Sequence, residues 1–312
     1  MCQQEIPSVS ESSARSHGRK DRFASLRIIA IAALLALGGL GVAAAGDGEA
    51  TDGDDPFFEK RGINDRASIT LGFMWADMET TAQINSELGL GTTLFLERLF
   101  EAPRSRDIPQ LLGYYRFNRH HRLDFGYMRV KNEGAVTLLD EEIDVGDITF
   151  ELNAAVGVRS KVQFAHVQYR YAFVNNGRAE AGIAAGLGLI DADLEIWGQV
   201  GIPPEVLYAS ERVSETIPLP IAGIYTEFTL TKGLFLSVDA LLFSLAYGDY
   251  AGNVSDSRLS LQWYPTKIFG FGAAYSRTRI DVDIERPRGT VNLDYLIEGP
   301  SIFVSFAIPG LQ

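Results

Sequence analysis

ASITLGFMW (Ala67–Trp75) places an apolar side chain at every odd position, with Ser, Thr, Gly and Met between them. AHVQYRYAF (Ala165–Phe173) repeats this pattern, with His, Gln and Arg at its even positions up to residue 170. RLSLQWY (Arg258–Tyr264) alternates in the same way. A helix would spread both sets around its circumference, whereas a strand separates them onto two faces. These segments are therefore predicted to be β-strands.

The connections between the strands alternate between short and long. Tight turns are predicted at Asn118–His121, Asn175–Gly177, Thr231–Gly233 and Pro265–Lys267, where Asn-Gly and Lys-Gly supply the positive φ of short hairpins. Longer polar segments lie near 83–108, 132–158, 198–213, 248–253 and 283–290. Short turns at one end and long loops at the other are typical of a transmembrane β-barrel.

This alternation predicts ten antiparallel strands. They are expected at about 67–80, 109–117, 122–131, 161–173, 178–190, 215–230, 234–247, 254–264, 268–282 and 292–308. Both chain ends then lie beside the tight turns, and the count is even, as in single-chain bacterial barrels. Thr92–Phe100 and Ile148–Val158 are apolar enough to form another hairpin, so eight or twelve strands remain alternatives.

The two faces of the strands indicate which side meets lipid. The apolar face carries aromatic residues near strand ends: Trp75, Phe117, Tyr127, Phe173, Phe228, Trp263, Phe269 and Phe306. Aromatic residues at strand ends are typical of the girdles at the membrane interface. A lipocalin-like soluble barrel would place its apolar set inside. The pattern therefore favours an apolar outer surface and an interior of charged residues and glycine.

The first 66 residues divide into a leader and a spacer. A basic stretch precedes the apolar run Ile28–Leu40, and small residues follow up to Ala45, which predicts a signal peptide over residues 1–45. The alternative is a single inner-membrane anchor, because Ile28–Ala45 has 18 residues. Residues 46–66 are expected to form a flexible, acidic periplasmic spacer, and residues 67–312 the barrel.

Charge and cysteine content exclude several classes of function. The leader carries five basic and three acidic residues, so residues 46–312 have 23 basic and 37 acidic ones, a net charge of −14. Such an acidic chain is not expected to bind nucleic acid. Cys2 is the single cysteine and lies in the leader, so the processed chain has neither a disulfide nor a thiolate metal site.

The leader, the girdle aromatics and the alternating connections together resemble the small outer-membrane β-barrel proteins of Gram-negative bacteria. PQLLGYYRFNRHHRLDFGY (Pro109–Tyr127) is similar to the second and third strands of uncharacterised members. The resemblance covers about residues 67–308. It implies an outer-membrane location, periplasmic termini, extracellular loops, contact with outer-membrane lipid and lipopolysaccharide, and insertion by the barrel-assembly machinery. It selects no activity, because this group includes pores, adhesins, lipid-modifying enzymes and stabilising proteins.

A polar set on the inward face is the candidate functional site. It comprises Arg116, Asp124, His166, Gln168, Arg170, Glu180, Glu227, Asp239, Arg258 and Gln262. These residues either form a salt-bridge network that fills a closed interior or line a narrow solute path. Eight strands leave an interior just filled by side chains, and open channels appear at about sixteen. A mostly plugged interior is therefore predicted for ten strands.

No catalytic, metal or cofactor site is predicted. His166 faces inward, and Val167-Gln168 follows it where lipid A deacylases have a His-x-Ser pattern. The protein is accordingly expected to be a non-enzymatic monomer that acts in envelope structure or binds a ligand, which the sequence does not identify, through its surface loops. The first alternative is a narrow porin for small solutes, and the second is a lipid-modifying outer-membrane enzyme.

Overall fold

The computed structural model describes residues 56–63, 65–85, 93–99, 104–136, 143–145, 148–150, 154–200, 207–247, 250–286 and 289–308. The predicted signal peptide at 1–45 lies outside these residues. The strands are β1 (Ala67–Ile84), β2 (Thr93–Phe95), β3 (Ser105–Arg116), β4 (His121–Val136), β5 (Ile143–Val145), β6 (Ile148–Phe150), β7 (Val156–Asn175), β8 (Ala179–Val200), β9 (Leu207–Thr231), β10 (Leu234–Tyr247), β11 (Tyr250–Trp263), β12 (Phe269–Arg286) and β13 (Gly289–Ile308). Two short helices accompany them, α1 (Pro56–Arg61) and α2 (Leu96–Leu99). Within the described part of the chain, neither helix has the length and apolarity to cross a membrane.

Ten long strands close into one antiparallel barrel. Sequential neighbours pair around the sheet, and β1 closes it by pairing with β13 from Ala67 opposite Ile308 to Ile84 opposite Val291. Closure pairs the backbone groups that an open edge would leave facing lipid. The predicted count of ten is confirmed, and eight and twelve are wrong. Among the described residues, the first ambiguous segment contains β2 and α2, and the second contains β6, which pairs with the preceding β5, and the start of β7.

The four predicted tight turns all lie at one end of the barrel, here called the turn end, together with the first residue of β1 and the last of β13. Side chains close these turns: Asn118 Oδ1 accepts the backbone N–H of His120 at 2.8 Å, and Asn176 Oδ1 accepts that of Ala179 at 2.9 Å. Gly177 and Gly233 adopt a φ of 80°. The Asn-Gly and Lys-Gly pairs therefore supply the positive φ that the sequence predicts.

The opposite end, called the loop end, contains more strand than the sequence predicts. β9 begins at Leu207 and runs for 25 residues, so most of the predicted loop at 198–213 is strand. β11 begins at Tyr250 and β12 extends to Arg286, which shortens two further predicted loops. The predictions were wrong here because polar residues were taken to mark loops. In these extensions they occupy the outer face of continuing strands.

An apolar belt covers the outside of the half of the barrel next to the turn end, the turn half. On β1 the exposed residues Ile69 to Trp75 at odd positions are apolar, and the next outward residues are Asp77 and Glu79. The same change occurs on β12 between Tyr275 and Arg277. The belt is about nine residues tall, over 67–75 on β1, 165–173 on β7 and 300–308 on β13. This height matches the 9–11 residues with which a tilted strand crosses a bilayer.

The other half, the loop half, has the reverse polarity. Its outer surface is polar, and a buried apolar cluster fills its interior, including Met78, Ile108, Val130, Val158, Ile196, Val213, Ile280, Tyr295 and Ile297. Phe150 of the β5–β6 hairpin is fully buried in the same cluster. The predicted polar interior is therefore correct for the turn half and wrong for the loop half. Because the loop half projects beyond the belt, it buries apolar side chains inside, as a soluble barrel does.

The last part of the predicted spacer is folded. Helix α1 and the residues after it lie at the turn end, where Phe57, Ile63 and Asp65 are buried. Ile63 packs in a small apolar cluster with Phe235, Tyr264 and Ala307 from the barrel wall. The prediction of a flexible spacer is thus wrong for the described residues from 56 to 66, because apolar and charged side chains among them pack against the barrel wall at the turn end. Residues 46–55 lie outside the described part of the chain.

Candidate functional site

The structure places all ten residues of the predicted polar set inside the barrel. Five of them, Arg116, Asp124, Arg170, Glu180 and Asp239, belong to one continuous set of ion pairs together with Arg122. We call these six residues the lumen network. Glu227 belongs to a second cluster at the turn end, while His166, Gln168, Arg258 and Gln262 lie outside both.

The network begins around Glu180 on β8. Arg116 Nη1 donates a hydrogen bond of 2.9 Å to Glu180 Oε2, and these two side chains are only 1% and 2% exposed. Arg122 Nη1 lies 3.8 Å from the other carboxylate oxygen, and the Tyr225 hydroxyl donates to that oxygen at 3.1 Å. Glu180 is thus held between two guanidinium groups and a phenol, which offsets the cost of burying its charge.

The network then crosses the lumen. Arg122 forms an ion pair of 2.8 Å with Asp124, and Arg170 Nε lies 2.9 Å from the same carboxylate. Arg170 Nη1 also lies 2.6 Å from Asp239 Oδ1. Because β8 and β9 separate β7 from β10 in the sheet, the pair Arg170–Asp239 spans the interior.

A second cluster attaches α1 to the turn end. Arg61 lies 2.5 Å from Asp65 and 2.6 Å from Glu227 on β9, and the Tyr114 hydroxyl donates to Asp65 at 2.7 Å. The Arg61 guanidinium also lies 4.7 Å from the centre of the Phe235 ring. We call Arg61, Asp65 and Glu227 the plug cluster.

The carboxylate of Asp65 is stabilised in its ionised form. Burial alone raises the pKa of Asp65, but the neighbouring Arg61 and Arg116 guanidiniums outweigh it and hold the pKa below its ordinary value. Burial likewise opposes the charge of Arg61, yet the carboxylates of Asp65 and Glu227 raise its pKa well above the ordinary value. Both groups therefore remain charged at neutral pH, and the plug cluster stays intact.

An interior cavity of about 230 Å³ lies where the polar and apolar interiors meet. Its polar wall includes Asp239, Asp256 and Arg258, and its apolar wall includes Phe164 and Ile297. The guanidinium of Arg258 donates a hydrogen bond of 3.4 Å to Gln110 and lies 5.6 Å from the Phe303 ring. The Asp256 carboxylate accepts a hydrogen bond of 2.6 Å from Thr278.

Three predicted residues have different surroundings from the network. His166 and Gln168 line the cavity, and the buried His166 Nδ1 and Gln168 Oε1 atoms have no hydrogen-bond partner among the described residues. The imidazole ring of His166 packs against Gly126, where any side chain would collide with it. Gln262 donates to the hydroxyl of Tyr264 at 3.0 Å, outside the lumen network.

Comparison with known proteins finds likenesses among solved structures alone. No protein-family model matches the chain, and no curated protein sequence matches it. Solved structures that resemble it include the outer-membrane protease OmpT from Escherichia coli (6% identity, 78% of this chain and 97% of that chain, TM-score 0.43). A second is the translocator domain of the autotransporter NalP from Neisseria meningitidis (12% identity, 79% of this chain and 91% of that chain, TM-score 0.43). A third is the outer membrane protein OprG from Pseudomonas aeruginosa (9% identity, 80% of this chain and 99% of that chain, TM-score 0.35). The chain itself folds as a closed antiparallel β-barrel of ten long strands with an apolar belt on its outer surface.

Sequence reasoning missed several residues of this barrel's interior: Arg61, Asp65, Tyr114, Arg122, Tyr225 and Asp256. Strand parity was sufficient to find four of them, since Tyr114 is two residues from the selected Arg116 on β3. Arg122 is two residues from Asp124, Tyr225 is two from Glu227, and Asp256 is two from Arg258, so each shares a face with a residue that was selected. Arg61 and Asp65 precede the first strand, where no period-two signal exists.

The ion pairs of the interior connect side chains from several strands, an arrangement suited to stabilising the barrel. Each carboxylate of the lumen network faces at least one guanidinium, and breaking such a buried pair would leave an uncompensated charge out of water. No hydroxyl of the described residues is hydrogen-bonded to His166, so these residues do not assemble a serine–histidine pair around it.

Proposed function

We propose that this protein is a non-conducting outer-membrane barrel that acts in envelope structure or by binding at its projecting loop half. The observation that carries the proposal is the lumen network, whose ion pairs connect β3 through β4, β7 and β8 to β10, five positions around the ten-stranded turn half. Helix α1 and the plug cluster lie across the same section nearer the turn end. On this proposal the turn end is periplasmic and the loop end is extracellular.

The energetics of the interior favour a permanently closed state. Separating one partner from a buried ion pair costs about 3–5 kcal/mol, because it leaves an uncompensated charge out of water. A path for ions through the turn half has to separate several such pairs. In the loop half it would also have to displace side chains of the apolar cluster, including the buried Met78 and Ile297.

Single-channel recording in planar bilayers tests the proposal. The purified barrel, with its folded state verified by a migration change on boiling in SDS, is expected to give no discrete conductance steps. Arg212→Ala, which removes an exposed ion pair with Asp193 on the outer surface, provides a control for preparation artefacts. Reproducible steps from the unaltered protein would overturn the closed-interior proposal.

A narrow path for small solutes is the second candidate, and the cavity of about 230 Å³ favours it. On this alternative Arg258 lines the path, so Arg258→Ala changes conductance. On the closed-barrel proposal the same substitution changes only stability. Recording the variant beside the unaltered protein separates the two candidates.

The proposal includes the absence of lipid-modifying activity. We expect overexpression of the barrel to leave the mass spectrum of lipid A unchanged. A new species that lacks an acyl chain would indicate an enzyme instead.

A further inference from the structure

Three cationic side chains gather on the outer surface of the loop half. Arg129 and Lys131 lie on β4 and Lys161 lies on β7, all on the face that points away from the interior. We call them the basic patch. Lys131 and Lys161 are directly opposite each other in the β4–β7 register. Like charges in this position repel, so the pair is unfavourable unless an anion lies nearby.

The chain itself neutralises the basic patch only in part. Asp193 is opposite Lys161 in the β7–β8 register, but it lies 2.5 Å from Arg212, and Glu133 lies 2.9 Å from Arg159. Asp191 accepts a hydrogen bond of 2.6 Å from Gln163. None of the three patch residues forms an ion pair with any residue that the structure describes. The Nε–H of Arg129 is also buried and has no acceptor within the same residues. An uncompensated donor of this kind indicates a missing acceptor.

The other side of the barrel provides a contrast at the same height. There Arg277 lies 3.4 Å from Glu298, and Arg279 lies 2.5 Å from Asp294. These arginines are compensated within the sheet. Because residues 46–312 carry a net charge of −14, acidic partners are abundant. The unpaired state of the basic patch is therefore a local property of β4 and β7, and overall composition does not account for it.

The height of the patch identifies the kind of anion. Tyr127 is the last aromatic residue of the belt on β4, and its hydroxyl donates a hydrogen bond of 3.0 Å to Gln163. Arg129 is the next outward residue and Lys131 the one after. They lie about 7 and 13 Å beyond Tyr127 along the strand. A strand tilt of about 40° reduces these distances to heights of about 5 and 10 Å, and the long lysine side chain can reach back toward the lower level. The headgroup layer of a bilayer begins where the hydrocarbon ends and is roughly 5–8 Å thick on each side.

We propose that the basic patch binds the phosphate of an anionic membrane lipid whose acyl chains lie against the belt below Tyr127. The guanidinium of Arg129 and the ammonium groups of Lys131 and Lys161 would share the phosphate oxygens, which relieves the repulsion between the two lysines. This inference rests on the proposed membrane location of the belt. It does not depend on whether the interior conducts.

Native mass spectrometry of the purified barrel tests the site. The probes are diphosphoryl lipid A, monophosphoryl lipid A and phosphatidylcholine, each added to the delipidated protein in detergent. The unaltered barrel is expected to retain diphosphoryl lipid A most strongly and phosphatidylcholine least. In the double variant Lys131→Gln/Lys161→Gln, retention of diphosphoryl lipid A is expected to fall about tenfold or more.

The matched control is the double variant Arg277→Gln/Arg279→Gln, which removes two outer cations that already have partners. It is expected to retain lipid as the unaltered protein does. Equal loss in both double variants, or equal retention of phosphatidylcholine and lipid A, would overturn the proposal. Displacement of the bound lipid by millimolar inorganic phosphate would also overturn it, because the site would then recognise the free ion.

Both double variants must show the migration change on boiling that marks a folded barrel. A folded Lys131→Gln/Lys161→Gln variant with unchanged lipid retention contradicts the lipid site alone. Conductance by the unaltered barrel contradicts the closed interior alone. The two proposals therefore fail separately.

Discussion

Arg61 and Glu227 form an ion pair of 2.6 Å although 166 residues separate them in the sequence. The pair joins the segment before the first strand to the wall of the barrel at β9. The turn end is thus closed by a contact between segments that are far apart in the sequence. Three consequences can be measured at this end and along the strands above it, and a fourth in the interior of the loop half.

Arg61→Ala is expected to release helix α1 from the barrel mouth. The substitution leaves Asp65 and Glu227 without their cation, and the cost of breaking a buried pair in this way is about 3–5 kcal/mol. Chymotrypsin should then cut at Phe57 and Phe58, which the unaltered protein protects. The rate of this cleavage, measured in folded barrels, provides the readout.

Lys232→Gln is the control for that experiment. Lys232 and Glu59 also connect α1 to the barrel, but they are 3.8 Å apart and their side chains are 69% and 77% exposed. Exposed pairs contribute only about 0–1 kcal/mol. Cleavage of Lys232→Gln should therefore match that of the unaltered protein, and similar rates for both variants would contradict the role of Arg61.

The attachment of α1 is expected to weaken in acid. Because the folded state lowers the pKa of Asp65, the ionised carboxylate stabilises the plug cluster above the ordinary aspartate value of about 3.9. That stabilisation is lost as the pH falls through the lower folded value. Hydrogen exchange of peptides from 56–66, corrected for the intrinsic rate, should accelerate below about pH 4. In Asp65→Asn exchange should be fast already at neutral pH and show no such step, so an identical pH profile in both proteins would refute this account.

The apolar belt and the loop half should tolerate an introduced arginine to different degrees. Leu71→Arg places a cation within the belt, where arginine on a lipid-facing strand costs about 2–4 kcal/mol near the bilayer midplane. Glu79→Arg places the same cation on the same face of β1 but beyond the belt. It should lower the free energy of unfolding much less than Leu71→Arg does. Urea unfolding from lipid vesicles measures both, and equal costs would show that the belt does not mark the bilayer.

The interior of the loop half should behave as a packed core. Ile297 is 1% exposed inside the barrel, and its neighbour Leu296 points to the outer surface. Ile297→Ala is expected to lower the free energy of unfolding by about 2–5 kcal/mol because it leaves a cavity. Leu296→Ala should have a distinctly smaller effect. A tolerated Ile297→Ala would instead indicate a hydrated interior in this half.

The fold was predictable because its signals are local. Period-two alternation defines each strand, and turn residues such as Gly177 and Gly233 define where neighbouring strands join. The ten strands follow from these alone. The polar set in the turn half followed from parity, and the same rule applied to every position would have included Arg122.

Other features depend on information that no single segment carries. The six-residue helix α1 has no periodicity to recognise, and its partner Glu227 is far away in the chain. The reversal of polarity was visible in β1, where the odd positions change from Trp75 to Asp77. It was missed because the strands were interpreted as having one apolar face along their whole length.

The reversal between Trp75 and Asp77 has a mechanical consequence. Moving the barrel along the membrane normal by one outward residue would carry Asp77 into hydrocarbon or Trp75 into water. Its neighbours at this level, Arg277 and Glu298, would move with it, so the penalty rises on several strands at once. The protein therefore has one preferred depth of immersion. A bilayer thinner or thicker than the belt has to adjust its own thickness around the barrel.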